Sequence, residues 1–235
     1  MVKFEQLKKT KVGTYYHVKD CSVHLLNAIR RIINQSLPSF AIDEATFFEN
    51  NSAMFNEYLA HRLALIPLTF DDKASPDVKI SFTLQATGPT VVYSKDLKSS
   101  DDKIVPALSH IPIIVLSDNQ SIRLEATATM GIARQHAKFQ NGHASFSHYP
   151  ELKIKGAKSE AFKLLPKGTV SEDGKILAPE KLDIDVFSDN VSVMPKEGEY
   201  IFYVESYNGE APTKLLQNAI ALLKEKADEL KTELK

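Results

Sequence analysis

One cysteine, Cys21, is all the thiol chemistry in 235 residues. A lone cysteine excludes an intramolecular disulfide framework and any cysteine-cluster metal site, and it fits a reduced, cytoplasmic setting. An excess of charge is also missing. The formal net charge is -1, so no global field favours nucleic acid or an anionic membrane. No apolar run approaches the ~20 residues of a membrane span, and the start MVKFEQLKK lacks a signal-peptide core. A phosphate-cradling glycine loop and a G-x-S-x-G elbow are both absent. What remains is ordinary for a globular chain of one or two domains: 43% hydrophobic and 25% charged residues, with length enough for a sizeable core.

The most informative stretch runs from Val23 to Leu68, VHLLNAIRRIINQSLPSFAIDEATFFENNSAMFNEYLAHRLALIPL. A helix can start at Asp20 or Ser22 and must stop by Leu37, because Pro38 disfavours helical geometry before it. At about 100° per residue, Leu25, Leu26, Ile29, Ile32 and Ile33 fall in one arc of roughly 120°. Arg30 and Arg31 flank the polar side. Ala41–Phe48 alternates weakly and reads as a strand. Asn50-Asn51-Ser52 is a turn and N-cap cluster for a second helix, with Phe55, Leu59, Leu63 and Ile66 at helical spacing before Pro67.

Residues 2–7 and 13–19 read as strands around a lysine-rich turn. From Val78 to Gly131 the period changes to two, with Ile80, Phe82 and Leu84 facing one way. Ile111–Leu116 and Ser121–Thr129 are further strands, joined by Asp118-Asn119-Gln120. Residues 150–195 are less regular. EYIFYVES, residues 199–206, is a strand, and Gly209 and Pro212 introduce a terminal helix. In it Leu216, Ala219, Leu223, Ala227, Leu230 and Leu234 follow 3-4 spacing.

NAIRRI, LPSFAID, FFEN and NEYLAHRLALIPL together resemble the most characteristic region of the D subunit of archaeal RNA polymerase. That family is related to the alpha polypeptide of the bacterial enzyme and to the third-largest component of eukaryotic polymerase II. VVYSKDLK (91–98), Gly131 followed by HAKFQ (136–140), and EYIFYVES extend the likeness. Phe139 stands where the family usually has Trp; an aromatic packing role survives that change, an indole hydrogen bond does not.

The resemblance implies a two-part α+β fold. Residues 1–48 with 196–235 would form a helix-and-sheet dimerisation module. Residues 49–195 would form a β-rich insertion, with 157–192 a degenerate ferredoxin-like segment. Many archaeal members bear iron–sulfur ligands there. Here Leu182, Asp185 and Ser188 take the spacing of a C-x2-C-x2-C run and Leu165-Pro166 the place of a Cys-Pro, so no cluster and no other cofactor is expected. Such an insertion would be held by apolar residues such as Phe162, Leu164, Ile176, Leu177, Ile184 and Phe187.

The resemblance also implies a non-catalytic assembly role within a nucleotidyltransferase complex. The chain would pair with subunit L and recruit the small N and P subunits and the large B subunit. The expected heterodimer interface is Leu25, Leu26, Ile29, Ile32 and Ile33 with Leu216, Ala219, Leu223, Ala227 and Leu230. Arg30 and Arg31 would contact the large subunit. A free-standing homodimeric binding or regulatory module is the alternative.

Other chemistry is weak. Glu57 and His61 make half a metal pair, and a zincin needs more. His136, His143 and His148 lack an acidic or thiol companion at metal spacing. Asp183, Asp185 and Asp189 lack the glycine and glutamate of a calcium loop. Lys8-Lys9-Thr10-Lys11 and the lysines of 153–158 lack interleaved aromatics, which favours solvated surface over nucleic-acid contact. Polymerase chemistry needs carboxylates holding two metal ions. The family places those on the largest subunit, so neither catalytic nor metal residues are expected in this chain.

Overall fold

Proline and glycine punctuate a chain whose β-branched and aromatic runs form long antiparallel strands. A computed structural model describes residues 2–154, 165–171, 175–182 and 191–234. In chain order the elements are β1 (Lys3–Lys9), β2 (Gly13–Lys19), α1 (Val23–Gln35), β3 (Pro38–Asn50), α2 (Asn56–Ala64), β4 (Ile80–Thr87), β5 (Thr90–Tyr93), β6 (Lys98–Ser99), β7 (Pro112–Leu116), β8 (Ser121–Ile132), β9 (Gly142–Ile154), β10 (Val191–Ser206) and α3 (Pro212–Glu233). This mixture of helix and antiparallel sheet is the α+β class expected. Expectations placed on Lys155, Gly156, Ala157, Lys158, Phe162, Leu164, Asp183, Ile184, Asp185, Phe187, Ser188 and Asp189 lie outside the described residues.

Two compact units are present, residues 1–30 with 144–205 and residues 31–143 with 206–235. β10 runs unbroken from Val191 to Ser206 within one sheet.

The first unit is built on a four-stranded sheet in the order β1-β2-β10-β9. Tyr16 faces Phe202 in register, and Val18 faces Tyr200; all four are buried. The ring of Phe4 meets Tyr16 and Phe202 edge-on at 6.3 and 6.2 Å. A smaller apolar cluster joins Leu165, Leu182, Val191 and Val193, with Leu152, Val170 and Ile176 against it. Ile176 thus holds this region together as expected, but Leu177 does not: it is 58% exposed.

The second unit centres on the sheet β3-β8-β4-β6, beside the two-stranded β5-β7. Ile80, Phe82 and Leu84 pair with Ala128, Ala126 and Leu124 of β8, so the alternating face of β4 joins one core with Phe40, Ile42, Leu59 and Leu63. Helix α2 starts later than the turn cluster suggests. Asn50 and Ser52 spend their side chains on Met54 O and on each other, and the N-cap is Phe55, which makes no side-chain cap bond. Phe55 is not a core residue either: it is 73% exposed, while Leu59, Leu63 and Ile66 are buried.

Candidate assembly surfaces

Helix α1 is capped by Ser22, whose Oγ accepts a hydrogen bond from Leu25 N at 3.3 Å. Its apolar arc splits into two sets. Leu26, Ile29, Ile32 and Ile33 are buried, whereas Leu25 is 37% exposed; Val23, also 37% exposed, lies off the arc on the other side of the helix. On the polar side Arg31 is exposed and Arg30 half-buried, with Arg30 Nε donating to Asn27 Oδ1 at 3.0 Å.

Helix α3 is entered through Gly209, at φ +79°, and Pro212 in its first turn; a left-handed glycine and a proline with no N–H to satisfy suit those positions. Its stripe grades from buried to bare. Leu216 and Ala219 are buried with Leu215, Leu223 is half-buried, and Ala227 is exposed. Ile220, Leu230 and Leu234 are 43%, 56% and 79% exposed.

Sequence reasoning passed over α2's outward face. Phe55, Tyr58 and Leu65 are all more than half exposed and share one helical face with Arg62 at 3-4-3 spacing. Arg62 itself is tied down: Nε donates to Ile113 O at 2.9 Å and Nη2 to Pro112 O at 2.5 Å, joining α2 to β7. Only the spacing of that face was legible in advance.

Of the candidate metal residues, Glu57, His61, His136, His143 and His148 are among those described. His61 and Glu57 are exposed on α2. His136 caps a short 3-10 turn through Nδ1, which accepts from Lys138 N at 3.1 Å. His148 leans on the Tyr200 ring at 5.1 Å. Among the described residues no three His, Cys, Asp or Glu side chains are grouped to hold a metal ion. Iron–sulfur ligation does not fit the residues present: Leu165 and Leu182, at thiolate positions by the resemblance, are each 7% exposed within apolar contacts. Cys21 is buried, and desolvation pushes its thiol up from the ordinary range.

A charged cluster decorates the first unit's sheet. His17 Nε2 lies 2.6 Å from Glu199 Oε2, and its ring stacks on Tyr149 at 4.0 Å. Lys196 Nζ lies 2.6 Å from the other Glu199 oxygen. Burial, the largest influence, pushes the Glu199 carboxyl up, but the hydrogen bonds from Lys196 and His17 outweigh it and hold the group below its usual range. The groups are paired with one another, which suits a structural network rather than a catalytic one.

No helix among the described residues is long and apolar enough to cross a membrane. Residues 48–147 match the RNA polymerase Rpb3/RpoA insert domain, and that match with the helix-and-sheet architecture defines an RNA polymerase alpha-like protein. Three relatives carry the name DNA-directed RNA polymerase subunit Rpo3. That of Pyrococcus horikoshii is 34% identical over 257 residues, covering 100% of this chain and 98% of its own. That of Natronomonas pharaonis is 36% identical, with 87% and 86% covered. That of Pyrococcus furiosus is 33% identical, with 99% and 97% covered. The chain belongs to the Rpo3 family, the D subunits of archaeal DNA-directed RNA polymerase, and its work is in transcription.

Proposed function

We propose that this chain is a non-catalytic, cytoplasmic assembly subunit that pairs with subunit L and presents a platform to the large B subunit and the small N and P subunits. The dimerisation module draws on residues 1–48 and 196–235. The observation that carries this reading is the exposed aliphatic edge of α3, where Ile220, Leu230 and Leu234 stand in solvent beside half-buried Leu223. On α1, Leu25 is also exposed. A stripe of this kind on a stable chain marks a face that another protein covers. Buried Leu26, Ile29, Ile32 and Ile33 then act as the floor beneath the α1 contact Leu25, and buried Leu216 and Ala219 as the floor beneath the α3 contacts Leu223, Ala227 and Leu230. Arg30 and Arg31 serve the large subunit, and the exposed strip on α2 offers a further area for polymerase neighbours.

The test is gel filtration with light scattering, with and without subunit L. The wild-type chain self-associates alone and forms a 1:1 complex with L. Leu223→Asp with Leu230→Asp places two carboxylates in the seam, where an unpaired charge is strongly unfavourable, and the complex is lost while circular dichroism is retained. A wild-type chain that stays monomeric at high concentration and ignores L sinks the reading; a discrete homodimer that L does not break favours the homodimeric module instead.

A further inference from the structure

Helix α3 leaves the body of the chain. Leu215, Leu216 and Ala219 are buried, but every residue from Lys224 to Leu234 is exposed, a run of about three turns. Exposure also redraws the stripe. Ala219 is buried and its neighbour Ile220 is 43% exposed, so the outward seam runs Ile220, Leu223, Ala227, Leu230, Leu234. Its steps of three and four alternate, which is the spacing of a left-handed coiled-coil seam. At about 100° per residue these positions fall in an arc of roughly 80°.

Charge is sorted about this seam. Lys224, Lys226 and Lys231 lie within roughly 80° of its centre, whereas Glu225, Asp228 and Glu229 lie about 120° or more away. Lys224 and Lys226 make no ion pair among the described residues, and Lys231 Nζ meets Asp228 Oδ1 at 3.2 Å with both side chains more than half exposed. A surface pair of that kind holds little free energy and is readily exchanged. Glu233 is the one acid near the flank. Charges in these flanking positions set partner choice in coiled coils.

Self-pairing meets this pattern badly. In a parallel pair, Lys226 of each copy faces Lys231 of the other. In an antiparallel pair centred on the same turns, Lys224 faces Lys231 twice, and two Lys226–Glu233 contacts do no more than offset that repulsion. A helix flanked by glutamate or aspartate engages all three lysines with no like-charge contact.

We propose that Lys224, Lys226 and Lys231 are specificity-determining residues: they make the free end of α3 a short coiled-coil seam for a helix of subunit L with acidic flanks, in preference to a second copy of this chain. The choice of L rests on the pairing proposed above; the charge rule rests on α3 alone. The first turns of α3 are packed into the chain, so the seam is a preformed helix and loses little freedom on binding.

The probes are dye-labelled three-heptad peptides, titrated with the full chain at low salt and followed by fluorescence anisotropy. Both have leucine and isoleucine at the seam positions; one has glutamate at every flanking position, the other lysine. The glutamate peptide binds tighter by about tenfold, the result of attractive pairs set against repulsive ones. The gap closes at about 1 M salt, where the Debye length is about 3 Å. Lys224→Glu with Lys226→Glu and Lys231→Glu reverses the order. The matching glutamine variant, which adds no acid to the helix C-terminus, abolishes the preference. Equal binding of the two peptides by wild type, or a preference that survives both variants, overturns the charge rule. Calorimetry with subunit L tests the occupant: the glutamine variant binds L several-fold more weakly than wild type at low salt. Unchanged affinity overturns L as the occupant of the seam while the peptide preference stands, and an L that ignores the wild-type chain sinks the pairing itself.

Discussion

Gly131 and Phe139 explain each other. A Cβ built on Gly131 would stand 2.7 Å from the Phe139 ring, so the ring packs directly on bare backbone, and Phe139 is 7% exposed there. That packing needs an aromatic ring and no indole N–H. Lys138 Nζ sits 5.1 Å from the same ring and pairs with Asp43. Phe139→Ala should cost about 3–5 kcal/mol, the range for a buried phenylalanine, read as a lower urea midpoint with unchanged slope. Gly131→Ala should cost about 1–3 kcal/mol because the ring must move. Glu199 gives a pH-dependent case. Its folded carboxyl is held below the usual value, so its contribution is present above the ordinary glutamate value of about 4.3 and is lost as pH falls through the lower folded value. Glu199→Gln should therefore lower stability at pH 7, by about 1–3 kcal/mol for lost charge-assisted bonds, and flatten the fall in stability below about pH 4.3. A wild-type and mutant pair whose urea midpoints fall in parallel from about pH 7 to about pH 3 would contradict this.

At the scale of elements, the strands showed themselves in the sequence in proportion to their regularity. β4 alternates because one face is buried throughout its pairing with β8. β3 alternates only weakly because its register with β8 shifts twice, between Ile42 and Glu44 and between Phe47 and Glu49; each extra residue turns the following side chains to the opposite face. The α1 arc was legible as an apolar face, but periodicity cannot tell a residue buried by its own chain from one awaiting a partner. Leu25 and Leu26 are adjacent in sequence and differ from 37% to 0% exposed. Arg30 and Arg31 carry the prediction here. Both sit off the buried arc, so Arg30→Glu with Arg31→Glu should change fold stability by no more than about 0.5–1 kcal/mol. The double variant should keep its complex with subunit L and fail to recruit the large B subunit, because charge reversal in a buried polar contact costs several kcal/mol. Pull-down with tagged L reads both outcomes, and loss of L binding would contradict the assignment of faces.

For the whole molecule, the family likeness was legible because it rests on long ordered segments, whereas the sheet of the first unit was not, because β10 joins strands far apart in sequence. The same strand supplies Val191 and Val193 to the small apolar cluster with Leu165 and Leu182. Leu165 and Leu182 are buried there, and each contributes on the order of 1.5–3 kcal/mol. A four-thiolate cluster cannot form from a sequence with one cysteine, and that cysteine is buried at the start of α1. The last prediction joins these points. Protein purified without oxygen should be colourless, with iron and acid-labile sulfide far below one cluster per chain, and its thermal midpoint should not move on adding a chelator or air. Leu182→Ala should instead lower stability by about 2–5 kcal/mol, the cost of emptying a packed leucine site. A brown protein with stoichiometric sulfide, or a Leu182→Ala variant as stable as wild type, would show that the apolar cluster does not take the structural place of the metal.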